Sequence, residues 1–150
     1  MEVDHINWAI LKRLQENARY SFAEIGRDIG LSSPAVAERV KKMEDAGLIR
    51  GYKTQISYQK TGYQLKAIIT LRAFMGRLKP FLEKVKEFSE VNNCYRITGN
   101  ENIIMEVVLR DQGHLEEFID KLITYGETKT HIVLSQVVEF APLDDFEKQR

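Results

Sequence analysis

From Ile6 to Ile49 the apolar residues recur at helical spacing. Ile6, Ile10 and Leu14, with Leu11 beside them, make one stripe, and Asp4 ahead of them can accept from the free amides of a helix start. Ser21-Phe22-Ala23-Glu24 has the form of a capping box, in which Ser21 and Glu24 satisfy each other's backbone amides. Ile25 and Ile29 then face inward, and Gly30 is free to take the left-handed conformation that ends a helix. A third helix opens at Ser32-Ser33-Pro34. Ser33 as N-cap puts Pro34 at the first helical position, and Ser32 is the alternative. Val36, Val40 and Met43 form its inner stripe, Gly47 stops it, and Leu48-Ile49 fold back onto it.

The second helix, a tight turn and the third helix fill residues 21–47, the form of a helix-turn-helix. The outer face of its second helix should carry small, polar or basic groups. Ser32, Ser33, Ala37, Glu38, Lys41 and Lys42 meet that need, with Arg39 at the margin. Ile49–Ile56 alternates as an extended segment with Arg50 and Lys53, which reads as the wing of a winged helix-turn-helix.

Beyond Gly62 the period changes. Strands are expected at Leu65–Phe74, Val91–Thr98, Ile103–Arg110 and Thr128–Phe140, and helices at Lys79–Ser89 and Gln112–Tyr125. Gly99-Asn100-Glu101-Asn102 is a hairpin turn. The order βαββαβ is the ferredoxin-like arrangement, an antiparallel sheet with both helices on one face. The fold class is therefore α+β, with a winged helix-turn-helix domain at 1–62 and a ferredoxin-like domain at 63–150. Both alternating sets of the strands carry apolar members, Ile69 and Leu71 against Ile68, and Val107 against Val108. A sheet apolar on both sides with helices on one calls for a partner subunit, and symmetric self-pairing into a homodimer is the commonest solution.

Composition narrows the class further. The 150 residues carry 22 basic and 22 acidic side chains. Residues 1–62 hold 10 basic and 8 acidic, a net of +2, and residues 63–150 hold 12 and 14, a net of −2. Such a balance permits a nucleic-acid partner without demanding one. Cys94 is the single cysteine, so no internal disulfide framework exists and a reducing compartment is expected. No apolar run reaches the ~18 residues of a membrane span, and the N-terminus lacks the basic and apolar regions of a signal peptide. The expectation is a cytoplasmic protein with no membrane partner.

Candidate chemistry is sparse. Cys94 lies mid-strand, where a free cysteine is usually a small core residue, so pairing it with His131 as a nucleophile is unconvincing. His5, His114 and His131 lack metal-ligand spacing, and the Gly99 turn lacks the glycine pattern and lysine of a phosphate loop. No cofactor or metal is expected, and no acid–base constellation marks an enzyme. Trp8 reads as packing, Glu116-Glu117 as solvent-facing, and Asp144-Asp145 with Glu147–Arg150 as a solvated tail.

The run from Leu31 to Tyr52, LSSPAVAERVKKMEDAGLIRGY, resembles the recognition-helix and wing signature of the Lrp/AsnC, or feast/famine, family of transcription regulators. Asp4–Leu11, Tyr95–Gly99 and Thr128–Ser135 are similar to further family segments, so the resemblance covers nearly the whole chain. It implies DNA binding by the third helix. Arg39, Lys41, Lys42, Arg50 and Lys53 would mostly meet phosphates, and Ser32, Ser33, Ala37 and Glu38 would face base edges or thymine methyls. No Arg is placed for bidentate guanine reading, so selectivity would lean on DNA shape and bending. The resemblance also implies dimers built through the C-terminal sheets, often assembled to octamers, and a small effector, usually an amino acid, at the contact between dimers. Gly99, Asn100, Asn102, Thr128 and Thr130 match positions of that effector pocket. Many members read Gly-x-x-Asp in this loop. Here Asn102 stands in place of the acid, an amide that hydrogen-bonds without the charge that favours an ammonium group. The main alternative is an architectural DNA-bending protein of the same family with no effector. An enzyme or an enzyme-regulating subunit rests on fold analogy alone.

Overall fold

A computed structural model describes residues 3–145. Three helices come first, α1 (His5–Glu16), α2 (Phe22–Ile29) and α3 (Ser33–Asp45). Their starts follow the capping logic. The Asp4 carboxylate accepts from the Asn7 amide at 2.7 Å. Ser21 and Glu24 form the reciprocal box. At α3 the cap is Ser32, whose hydroxyl accepts from the Ala35 amide, so Ser33 is the first helical residue and Pro34 the second. Ile10, Ile25, Val36, Val40 and Met43 close into one buried cluster, with Ile6, Leu14, Ile29 and Ile49 packed around it. Ile49 returns to the core because its amide and that of Leu48 both donate to the Met43 carbonyl.

The turn between α2 and α3 depends on two glycines. Gly30 ends α2 at φ 76°, in the left-handed region. Gly26 is buried within α2, and a Cβ there would run into the Leu31 carbonyl oxygen. The Leu31 amide closes onto the Gly26 carbonyl at 2.8 Å. The missing side chain is what lets the turn pass this close to the helix.

Among the described residues, 50–57 form no strand. Basic and alternating as it is, the expected wing pairs with no strand among the described residues. A single 3₁₀ turn at Gln59–Thr61 follows.

The second unit contains β1 (Leu65–Ala73), α4 (Leu78–Lys84) running into a 3₁₀ turn at Val85–Glu87, β2 (Val91–Arg96), β3 (Ile103–Leu109), α5 (Gln112–Leu122) and β4 (Gly126–Ile132). The sheet order is β2-β3-β1-β4, antiparallel throughout. Ile69 and Leu71 of β1, Met105 and Val107 of β3, Phe81 of α4, and Phe118 and Leu122 of α5 form one buried core. β4 stops at Ile132 rather than continuing to Phe140. Its one neighbour is β1, and Ile132 already faces Ala67, two residues from the start of that strand. The Val133 amide makes a last bond to the Lys66 carbonyl.

The contacts divide the chain at Thr54/Gln55, earlier than Gly62, because Tyr58–Tyr63 closes on itself next to β1 rather than on the helices. Residues 138–145 join the helical unit. There Gln15 of α1 exchanges two hydrogen bonds with the Leu143 backbone, at 3.0 and 2.8 Å. Asp144 and Asp145 are not buried, and Glu147–Arg150 lie outside the described residues.

Candidate nucleic-acid interface and ligand-binding region

The inner stripe of α3 fixes what its outer face can be. With Val36, Val40 and Met43 buried, the opposite side presents Pro34, Glu38, Lys41 and Asp45, flanked by Lys42 and by the half-buried Ala37. Ser32 and Ser33 are exposed at the helix start. Glu38 and Lys42, one turn apart, form an ion pair at 2.7 Å. The hydrogen bond from Lys42 and its charge hold the Glu38 carboxyl below its ordinary range. Lys41 is exposed and makes no ion pair among the described residues.

Arg39 is committed elsewhere. One guanidinium nitrogen donates to Asp4 at 2.8 Å and to the buried Asn7 at 3.0 Å, joining α3 to the start of α1. The Asn7 backbone amide and then Arg39 lower the Asp4 pKa. This cluster has a faint trace in the sequence. Asn7 is a polar residue three positions before Ile10, on the side of α1 that is otherwise apolar.

Arg50 and Lys53 are exposed after α3. Between them Tyr52 donates its hydroxyl to Glu44 at 2.8 Å, fixing the segment to the last turn of α3. Partial burial, then the Glu44 carboxylate, push the phenol up to about 12. No spacing rule pointed to that bond.

In the second unit, Asn102 and Thr128 stand on either side of Leu71. The Asn102 amide donates to the Leu71 carbonyl at 2.9 Å, and Thr128 is the β4 partner of Leu71. The Asn102 side-chain oxygen accepts the Ala73 amide at 2.7 Å, so the side chain extends the ladder beyond the start of β3. Thr130 faces Ile69, and both threonines are half-buried. Gly99 and Asn100 are exposed in the loop, and Glu101 reaches Lys129 at 2.8 Å. Cys94 packs against the core, and burial raises its thiol pKa, as suits a structural cysteine. No group of His, Cys, Asp and Glu able to hold a metal occurs among the described residues. No helix among them is long and apolar enough to cross a membrane.

Residues 3–44 match the AsnC-type helix-turn-helix domain, and residues 66–143 match the Lrp/AsnC ligand binding domain. The chain belongs to the Lrp/AsnC family. Members are transcriptional regulators with a DNA-binding and a ligand-binding domain, not enzymes. The regulator LrpC of Bacillus subtilis is 29% identical over 91% of this chain and 95% of its own. A second regulator of that organism, YezC, is 36% identical over 89% and 94%. The LrpC structure superposes with a TM-score of 0.88, covering 92% of this chain and 99% of that one. A Neisseria meningitidis regulator in complex with L-Met superposes at 0.90, with 25% identity over 95% and 96%. The α+β class and the helix-turn-helix stand confirmed, and this Lrp/AsnC chain is a DNA-binding regulator.

Proposed function

We propose that this regulator is a cytoplasmic, sequence-preferring homo-oligomer whose grip on double-stranded DNA changes with an amino-acid-like effector bound between C-terminal domains. The observation that carries the reading is α3. Its core side is locked, its start is capped, and Ser32, Ser33, Ala37, Glu38, Lys41 and Lys42 are offered to a major groove. Arg50 and Lys53, held near α3 by Tyr52, add phosphate contacts, and Arg39 acts chiefly by holding α1 against α3.

The uncovered sheet face supports a homodimer. Ile68, Thr70 and Ile104 are only half-buried there and Tyr95 is 51% exposed. Two such faces together would shield them. The exposed Ile56 and Tyr58 before β1 invite the same partner. A two-fold dimer presents its recognition helices to half-sites about one helical turn, ~34 Å, apart. Assembly of dimers to octamers would bend the DNA.

The L-Met carried by the Neisseria meningitidis relative supports an amino-acid effector. Gly99, Asn100, Asn102, Thr128 and Thr130 are the residues proposed to meet it. Binding to DNA just upstream of the protein's own gene, at fixed salt with and without pooled amino acids, tests the reading. A changed affinity or footprint is expected. Tight binding with no change would favour the architectural alternative, for which Asn102 speaks, since its side chain carries no charge for an ammonium group.

A further inference from the structure

We propose that Glu38 and Lys42 act as one unit that reads a single C·G base pair in the major groove. The inference rests on α3 being the recognition helix, as argued above.

The placement of Glu38 needs a reason. It lies at the centre of the exposed face of α3, diametrically opposite the buried Val36–Val40–Met43 stripe, and its side chain is 68% exposed. A carboxylate at the centre of a DNA-facing surface is repelled by phosphates on both sides of the groove. A helix that gripped only the backbone would bind better without it. Lys42 neutralises the charge locally and, at 2.7 Å, sets a cluster of N–H donors directly beside a carboxylate acceptor.

That order of donors and acceptor matches one base pair. Across the major groove C·G presents the guanine N7 and O6 acceptors, then the cytosine N4 amino donor. Lys42 can give two N–H groups to N7 and O6 while Glu38 accepts from N4. The Lys42–Glu38 contact survives through a third N–H, so neither charge loses its partner on entering the groove. A·T presents acceptor, donor, acceptor and then a methyl group. With Glu38 on the adenine amino group, Lys42 can serve only one of the flanking acceptors, and the thymine methyl crowds the other. A purely electrostatic grip would show no such preference.

Selection of binding sites from random duplexes, with the full-length protein and its Glu38→Gln variant, tests this. Glu38 is exposed, so the variant keeps the fold, which a melting curve confirms. The wild type should enrich one C·G pair per half-site. Glu38→Gln should lose that preference, by roughly fivefold to a hundredfold, or move it toward A·T, since a carboxamide pairs with the adenine N6 and N7 edge. The slope of affinity against salt should not fall, because no phosphate contact is removed. Identical selected sequences for the two proteins would overturn the proposal and leave DNA binding intact. Binding by the wild type without sequence preference would do the same. Failure of the wild type to bind any duplex would instead remove the recognition-helix reading, and the base-reading inference with it.

Discussion

Arg39 and Asp4 stand 35 positions apart in the chain and meet at 2.8 Å, and Arg39 reaches the buried Asn7 with the same nitrogen. The side chain therefore belongs as much to the helical core as to its surface. Replacing it with alanine leaves the Asn7 oxygen buried and unpaired, which costs about 1–3 kcal/mol. Urea unfolding of Arg39→Ala should show a loss of that size. Arg39→Lys should recover part of it. If Arg39 served DNA alone, the variants would unfold like the wild type and differ only in DNA affinity.

Gly26→Ala should destabilise the helix-turn-helix, the reverse of an ordinary glycine-to-alanine replacement in a helix, which usually stabilises by up to ~1 kcal/mol. The added methyl would run into the Leu31 carbonyl, and backbone cannot swing aside as a flexible side chain would. A cost of roughly 1–3 kcal/mol is expected, typical of overpacking. A melting temperature unchanged or raised would show that the turn has room.

These two sites mark the limit of what the chain discloses before it folds. Asp4, Ser21, Glu24 and Gly30 act through neighbours three or four residues away, so their pattern is visible in the linear sequence. The same holds for the outer face of α3, which follows from its inner stripe. Gly26 looks like a poor helix residue until the Leu31 carbonyl is in place. Arg39 looks like a phosphate ligand until α1 arrives beside it. The sequence favours Ser33 as the cap because that puts Pro34 at the first helical position, but the Ala35 amide donates to the Ser32 hydroxyl and moves the cap back to Ser32. β4 is expected to run on because apolar residues recur through Val133–Phe140, whereas pairing ends where β1 begins. A strand needs a partner as well as a pattern, and residues 50–57 make the same point.

Acid should loosen the second unit through Glu90. Burial pushes its carboxyl up, but Lys121 at 2.7 Å and His114 at 3.3 Å outweigh this and hold it below its ordinary value near 4.5. The His114 Nδ1 accepts the Arg110 amide, so the proton that faces Glu90 is on Nε2. A lowered folded pKa means that the stabilisation is full above the ordinary value and is lost as pH falls through the folded one. Glu90→Gln should be less stable than the wild type by about 1 kcal/mol at pH 7, with the gap closing toward pH 3. Urea midpoints at the two pH values measure it. A constant gap would mean that Glu90 contributes by shape, not by charge.

Lys41 is the cleanest candidate for a phosphate contact, being exposed on the DNA-facing side and unpaired among the described residues. Lys41→Ala should weaken binding by a similar factor on every duplex. The slope of log affinity against log salt should shrink by about one, the value of one released counterion. Loss confined to one sequence would place Lys41 on a base edge instead.

Asn102 carries the effector question. Its side-chain oxygen is held by the Ala73 amide and carries no charge, and its other polar group is an NH₂, a donor. An aspartate could keep the bond to Ala73 with one oxygen and leave the second as a charged acceptor. Asn102→Asp should therefore fold as the wild type does, while Asn102→Ala should lose about 1 kcal/mol from the unpaired Ala73 amide. If the effector's ammonium group is read here, Asn102→Asp should bind L-methionine at least tenfold more tightly, since hydrogen bonds between charged partners are roughly twice as strong as neutral ones. Calorimetric titration of the two proteins with L-methionine decides this. Equal affinities would place the ammonium contact elsewhere in the pocket, and Asn102 would then serve only to carry the strand ladder beyond the start of β3.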